Sequence, residues 1–268
     1  MERKMRLDRF LTDMGEGTRS QVKEMARRGR LKVNDVTVKK AEEKIDPDRD
    51  IVLLDGRRVA YAGMEYYMLN KPQGVVSATE DNLHVTVTDL VMKNPPRVFR
   101  KEEGAAGETG EAEKSGPRRK DLFPVGRLDI DTEGLLLITN DGELAHRLLS
   151  PRRHVDKRYF ARVEGEIPED AAERFGTGIT LSDGTKLLPA GLELLGDGGE
   201  GDGCCREVMV TIREGKFHQV KRMFGALGCR VVFLKRISMG SLVLDDNLKP
   251  GEYRPLSKEE VEGLKREG

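Results

Sequence analysis

The chain has 268 residues, 37% hydrophobic and 35% charged, which allows one large core or two to three smaller ones in a polar, soluble protein. Lysine plus arginine and aspartate plus glutamate both number 47, so the global basic excess that marks many nucleic-acid binders is missing, and with 5% aromatics and no tryptophan the chain is poor in stacking platforms. Three cysteines, Cys204, Cys205 and Cys229, match no paired metal-ligand spacing, and an odd number argues against a disulfide framework.

The first residues, MERKMRLDRF, lack the apolar stretch of a signal peptide, and no apolar segment approaches a membrane-spanning length. A cytoplasmic protein with no membrane partner is expected. Met5, Leu7, Phe10, Leu11 and Met14 form a helical stripe. GEGTRSQ breaks it, and Thr18 can cap a second helix, SQVKEMARRG, that stops at Gly29. RLKVNDVTV alternates around Asn34-Asp35, and IVLLDGRRV closes the unit as a strand pair turning at Asp55-Gly56. Between Thr18 and Lys40 there are eight basic and two acidic residues. That local patch is the footprint of phosphate contact, or a solvated helix face.

A second region opens with EYYMLNKPQGVVSAT, read as strand, Pro-Gly turn, strand. Residues 80–99 predict a short helix and a connection. Residues 100–120, RKEEGAAGETGEAEKSGPRRK, have no apolar periodicity and read as a mobile insertion. From Asp121 to Arg254, strand-like runs (LLLIT, YFARVEG, EVMVTI, VVFLKRIS) alternate with helix-like ones (GELAHRLLS, PEDAAERFG, HQVKRMFGALG). Gly228 fits a helix stop after Leu227, and Ser257 and Glu260 have capping-box spacing before a terminal helix. The order predicts an α+β protein: a small unit over residues 1–62 with two helices and hairpins, then a mixed, largely antiparallel sheet domain over 63–268.

The densest constellation is GRLDIDTEGLLLITNDGE. Asp129, Asp131, Glu133 and Asp141 crowd around an apolar strand. Such carboxylates permit general acid/base work, metal binding or a carboxylate nucleophile. Ordinary turn and cap chemistry is the competing reading, and spacing alone does not choose between them.

That run resembles the central motif of the RsuA/RluB/RluE/RluF family of bacterial rRNA pseudouridine synthases. YYMLNKPQGVVSAT resembles the family's first motif, with Asn70, Lys71, Pro72 and Gly74 in place. SPRRHVDKRYFARVEG carries its Lys-x-Tyr pair as Lys157 and Tyr159, and EGKFHQVKRMFGALG resembles its last motif. GEYRPLSKEE resembles its close. The resemblance covers nearly the whole chain outside 100–120. Residues 1–62 resemble the small RNA-binding domain named after ribosomal protein S-four.

The resemblance implies that Asp129 is the nucleophile, Lys221 its cationic partner and Tyr159 the aromatic partner of a flipped uridine. Arg127 is a second candidate partner for Asp129, two residues away on the same face if the segment is extended. Val220 is expected against the Tyr159 ring. Arg19, Arg27, Arg28 and Lys32 are expected phosphate contacts, as are Lys71, His218 and Arg222 nearer the site. Lys71 is alternatively a brace for the active-site strand. Asp131 and Asp141 are left as turn formers or caps. No metal, nucleotide or other cofactor is expected, because the histidines have no ligand spacing and no Gly-rich phosphate loop occurs. The expected partner is ribosomal RNA, 16S over 23S because of HQVKR, free or in an assembly intermediate, bound by a monomer. Two other classes remain: a non-catalytic RNA-binding assembly factor, and a carboxylate hydrolase acting on a sugar bond, which needs a second essential carboxylate.

Overall fold

The computed structural model describes residues 4–94, 96–97, 120–197 and 205–267. They fall into two compact units, one over 4–65 with 120–122, the other over 66–97 and 123–267. Apart from Lys120, the 100–120 stretch read as an insertion lies outside the described residues.

In the first unit the apolar stripe becomes β1 (Met5–Arg6) and α1 (Leu7–Asp13), and SQVKEMAR becomes α2 (Arg19–Arg27). Thr18 caps α2 as expected. Its hydroxyl accepts the Gln21 backbone amide at 3.3 Å and its own amide donates to the Gln21 side-chain Oε1 at 2.8 Å. Then follow β2 (Leu31–Val33), β3 (Val36–Thr37), β4 (Lys44–Ile45), β5 (Val52–Leu54) and β6 (Arg57–Val59). The β2–β3 hairpin turns through Asn34 and Asp35 at φ 49° and 64°, the β5–β6 hairpin through Asp55 and Gly56 at φ 52° and 80°. Both central residues left-handed is the two-residue turn that matches strand twist, and Asn, Asp and Gly tolerate it best. The sheet order is β3-β2-β5-β6, and β1 pairs β4. Leu7, Phe10 and Leu11 of α1 and Val22 and Ala26 of α2 share one core with Leu31, Val52 and Leu54.

The second unit runs β7 (Tyr66–Lys71), α3 (Val87–Lys93), β8 (Phe123–Pro124), β9 (Glu133–Thr139), α4 (Gly142–Leu149), β10 (Lys157–Glu164), α5 (Ala171–Thr177), β11 (Gly191–Asp197), β12 (Cys205–Ile212), α6 (Gln219–Gly225), β13 (Arg230–Met239), β14 (Leu242–Val243), β15 (Tyr253–Pro255) and α7 (Lys258–Glu267). The sheet order is β11-β12-β10-β13-β9-β7-β15, with β14 on β13 and β8 on β9. Every pairing is antiparallel except β13 with β9, which rests on two residue pairs, Lys235 with Glu133 and Arg236 with Gly134. Leu144 and Leu148 of α4 and Leu264 of α7 pack on Met68, Leu135, Leu137 and Met239 from three strands.

Two helix boundaries follow the sequence closely. Gly228, at φ 77°, donates to the Gly225 carbonyl, and the Cys229 amide reaches back to Phe224, the paired bonds of a glycine-terminated helix end. Ser257 and Glu260 exchange amide and side-chain bonds at the start of α7. The second strand expected in VVSAT does not form. Val76 makes one isolated bridge to Thr86, and the Ser77 hydroxyl both donates to the Leu128 carbonyl (2.9 Å) and accepts its amide (3.0 Å). A side chain thus takes the place of the missing strand partner. β11 has no counterpart among the expected elements.

Candidate active site

The GRLD segment lies between β8 and β9 and leads into a tight turn. Thr132 donates its amide to the Asp129 carbonyl at 3.0 Å, closing a turn that leaves Asp129, Ile130 and Asp131 at its tip. Three supports hold it. Ser77 grips Leu128 as described, the Gly74 amide donates to Ile130 at 2.8 Å, and Lys71, at the end of β7, reaches up from below. The Lys71 ammonium donates to the carbonyls of Pro72 (3.0 Å), Asp129 (3.0 Å), Ile130 (3.4 Å) and Thr132 (2.9 Å).

Lys71 is 0% exposed, so the expectation that it contacts RNA is corrected. A lysine whose donors are all spent on buried carbonyls cannot also meet a phosphate. It is the brace. Burial pushes its ammonium down to about 8, against the opposing pull of Asp131, Asp129 and Glu133.

The opposite wall comes from the turn before α6 and from β10. The Gln219 side chain is buried. It donates to the Glu214 carboxylate at 3.1 Å and accepts the Lys216 amide at 3.0 Å, which fixes the start of α6. Lys221 then lies one turn in, its ammonium 3.2 Å from Asp129 and 2.5 Å from Asp131. His218 precedes the helix in the left-handed region, φ 48°, with its Nε2 3.7 Å from Asp129. Tyr159 is 8% exposed, and its hydroxyl has no hydrogen-bond partner among the described residues. Together Arg127, Leu128, Asp129, Thr132, Tyr159, His218 and Val220 line one open pocket of about 410 Å³.

The expected catalytic residues Asp129, Lys221 and Tyr159 are therefore brought to one place, with Val220 beside them. Arg127 lines the same pocket but is exposed and makes no ion pair with Asp129 among the described residues. Lys221 alone supplies the close ammonium. Asp131 is more than the turn former expected, because it shares Lys221. Burial pushes its carboxyl up, yet the Lys221 hydrogen bond and charge outweigh that and hold it below the ordinary range. Nothing in the spacing could reveal a partner ninety residues away. Asp141 is the cap expected: it accepts the Leu144 amide at 3.0 Å and the Tyr66 hydroxyl at 2.8 Å. Arg222 is half-buried and ion-paired with Asp183, whose carboxyl is held at about 2, chiefly by the Thr185 amide. Arg19, Arg27, Arg28 and Lys32 stand exposed on the first unit, with Arg28 2.9 Å from Glu24. Among the described residues, no group of three or more His, Cys, Asp or Glu is placed to hold a metal ion. No described helix is long and apolar enough to cross a membrane.

A braced aspartate paired with a lysine, opposite a tyrosine, suits a carboxylate nucleophile or acid/base work, and the family matches supply the class, enzymes that isomerise uridine in RNA. Residues 65–226 match the RNA pseudouridylate synthase family, and residues 5–51 match the S4 domain. The chain belongs to the RNA pseudouridylate synthases, in the RsuA/RluB/RluE/RluF family, and is a pseudouridine synthase. It is 42% identical to an uncharacterized RNA pseudouridine synthase of Bacillus subtilis, YtzG, over 96% of this chain and 97% of that one. It is 38% identical to the ribosomal small subunit pseudouridine synthase A of Escherichia coli, over 96% of this chain and 98% of that one. A solved pseudouridylate synthase aligns at TM-score 0.59 with 34% identity, covering 97% of this chain and 99% of that one.

Proposed function

We propose that this enzyme converts a specific uridine of small-subunit (16S) ribosomal RNA to pseudouridine, with Asp129 as nucleophile. The observation that carries the mechanism is the Asp129–Lys221 pair at 3.2 Å in a pocket walled by Tyr159. The name and near-complete alignment of the Escherichia coli relative support the choice of RNA.

In the reaction the ribose C1′–N1 bond breaks and a C1′–C5 bond forms. The C5 proton leaves and N1 gains one, so the atoms balance without a cofactor. The base must first leave its stack for a pocket. Asp129 then supplies a carboxylate whose oxygens are aimed by the braced turn, and the Lys221 ammonium offsets its charge. The Tyr159 ring carries the flipped base, and its hydroxyl handles a proton. Arg127 and His218 meet the RNA at the pocket mouth. Arg19, Arg27, Arg28 and Lys32 hold RNA phosphates from a binding domain over residues 1–62, and the catalytic domain runs over 63–268. The enzyme acts as a monomer in the cytoplasm, on free RNA or on an assembly intermediate.

The test uses transcripts carrying tritium at uridine C5. Wild type is expected to release tritium from the small-subunit transcript and not from the large-subunit one. Asp129→Asn is expected to bind the transcript as wild type does and release none. Activity on the large-subunit transcript alone removes the small-subunit assignment. Full activity in Asp129→Asn removes the nucleophile.

A further inference from the structure

Phe217 is the only phenylalanine or tyrosine that stands exposed among the described residues, at 72%. The other described phenylalanines and tyrosines are buried or half-buried. In a chain with so few aromatics, this ring buries almost nothing in the fold. Its only ring partner among the described residues is His218, on which it stacks with centroids 3.7 Å apart and planes 20° from parallel.

The backbone that carries the stack is fixed in place. His218 holds a left-handed backbone, which costs a residue with a side chain of order 1–2 kcal/mol and persists only where its surroundings impose it. The surroundings here are the buried Gln219, whose amide donates to the Lys216 carbonyl at 3.1 Å, and the Arg222 amide bonded to the His218 carbonyl at 2.9 Å. The inner ring, His218, lines the pocket and lies 3.7 Å from the Asp129 carboxylate. The outer ring, Phe217, presents a free face one ring further out. The ladder therefore starts at the reacting carboxylate and ends on an open π-surface.

We propose that Phe217 is a stacking platform for the nucleobase adjacent to the flipped uridine. The proposal rests on the reading that Asp129 marks where that uridine lies. A uridine taken out of its stack leaves its neighbour without a stacking partner, and that loss is part of the cost of flipping. An exposed aromatic face beside the pocket, already ordered, replaces the lost contact and is indifferent to the identity of the base it receives. Phe217 is then a positioning residue: it holds the strand open and leaves the chemistry to others.

The absence of tryptophan makes the test direct. Phe217→Trp installs a single indole reporter. In an Asp129→Asn background, titration with the small-subunit transcript is expected to quench its emission saturably. Phe217→Ala and Phe217→Leu are each expected to weaken RNA affinity roughly 5- to 150-fold. The slope of log affinity against log salt should stay that of wild type, because no phosphate contact is lost. Phe217→Trp should keep wild-type affinity, which separates a π-face from mere apolar bulk. Phe217 is exposed, so none of these changes disturbs the core. Indole emission that does not change at saturating RNA, or Phe217→Ala binding as wild type, overturns the proposal. Wild type that releases no tritium from this transcript overturns only the choice of RNA, and the same titration is then read with the large-subunit transcript.

Discussion

Lys221 divides one ammonium between two carboxylates that differ in position. Asp129 faces the pocket, and Asp131 is largely exposed. Removing the cation and removing the second carboxylate should therefore have unequal effects. Lys221→Met is expected to lower the single-turnover rate roughly 100-fold or more, the scale of losing a charge aimed at the reacting group. Asp131→Asn is expected to cost less than about 10-fold, because its exposed carboxylate competes for the ammonium and does not itself meet the substrate. Rapid-quench tritium release distinguishes the two, and an Asp131→Asn loss as deep as that of Asp129→Asn would make Asp131 a second essential carboxylate. Lys71→Met takes the ammonium donor from the Pro72 and Thr132 carbonyls, while those of Asp129 and Ile130 keep the Thr132 and Gly74 amides, and should lower the unfolding free energy by about 1–3 kcal/mol, measured by urea denaturation. The types of these residues were legible in the sequence, since Asp129, Tyr159 and Lys221 sit in motifs. The burial of Lys71 was not, because a lysine is ordinarily a surface residue and only the fold shows carbonyls converging on its ammonium.

At the scale of elements, the β9–β13 junction is a tightly constrained place in the sheet. Gly134 holds φ 101°, and a Cβ there would overlap the backbone of Arg236. Gly134→Ala is expected to destabilise the catalytic unit by about 3 kcal/mol or more, because the obstruction is main chain and cannot rotate away. Loss of soluble protein or a lowered thermal midpoint checks this, and a wild-type midpoint would refute it. Caps and turns were the most legible elements. Thr18 with Gln21, Ser257 with Glu260, Asn34-Asp35, Asp55-Gly56 and Gly228 all act through local backbone chemistry, which a single sequence carries. VVSAT differs from the strand expected because its apolar, β-branched residues suit a strand, while the Ser77 hydroxyl rather than its main chain bonds the Leu128 amide and carbonyl. β11 escaped because GLELLGD, with two glycines and two acids, has no clean alternation, and only its pairing with β12 makes it a strand.

For the whole molecule, pH and salt give separate readouts. Burial holds both Lys71 and Lys157 near 8, with Arg236 also pushing Lys157 down. An unfolded lysine titrates near about 10.4. Between about 8 and 10.4 the unfolded chain keeps protons that the folded chain has released, so these two groups make stability rise with pH there, and they add no slope below about 8. Denaturation midpoints of the catalytic unit measured from about pH 7.5 to about pH 9.5 should show the rise. Lys157→Met should make it shallower, and an unchanged slope would contradict the assignment. In the first unit, Arg27→Gln should reduce the salt slope of RNA binding by about one, with the single-turnover rate at saturating RNA unchanged.

The parallel junction between β9 and β13 also bears on how the enzyme becomes active during refolding. On one side of it stand β15, β7, β8 and β9, with the Asp129 turn. On the other stand β13, β10, β12 and β11, with Tyr159 and, after β12, Lys221. The antiparallel pairs within each block can form before the two blocks meet, but docking them closes a long loop for only two residue pairs, the kind of contact that forms late. The pocket does not exist until then. Catalytic activity should therefore return only with the last kinetic phase, after most of the strand signal in circular dichroism has recovered, which makes turnover a clock for the final step of folding.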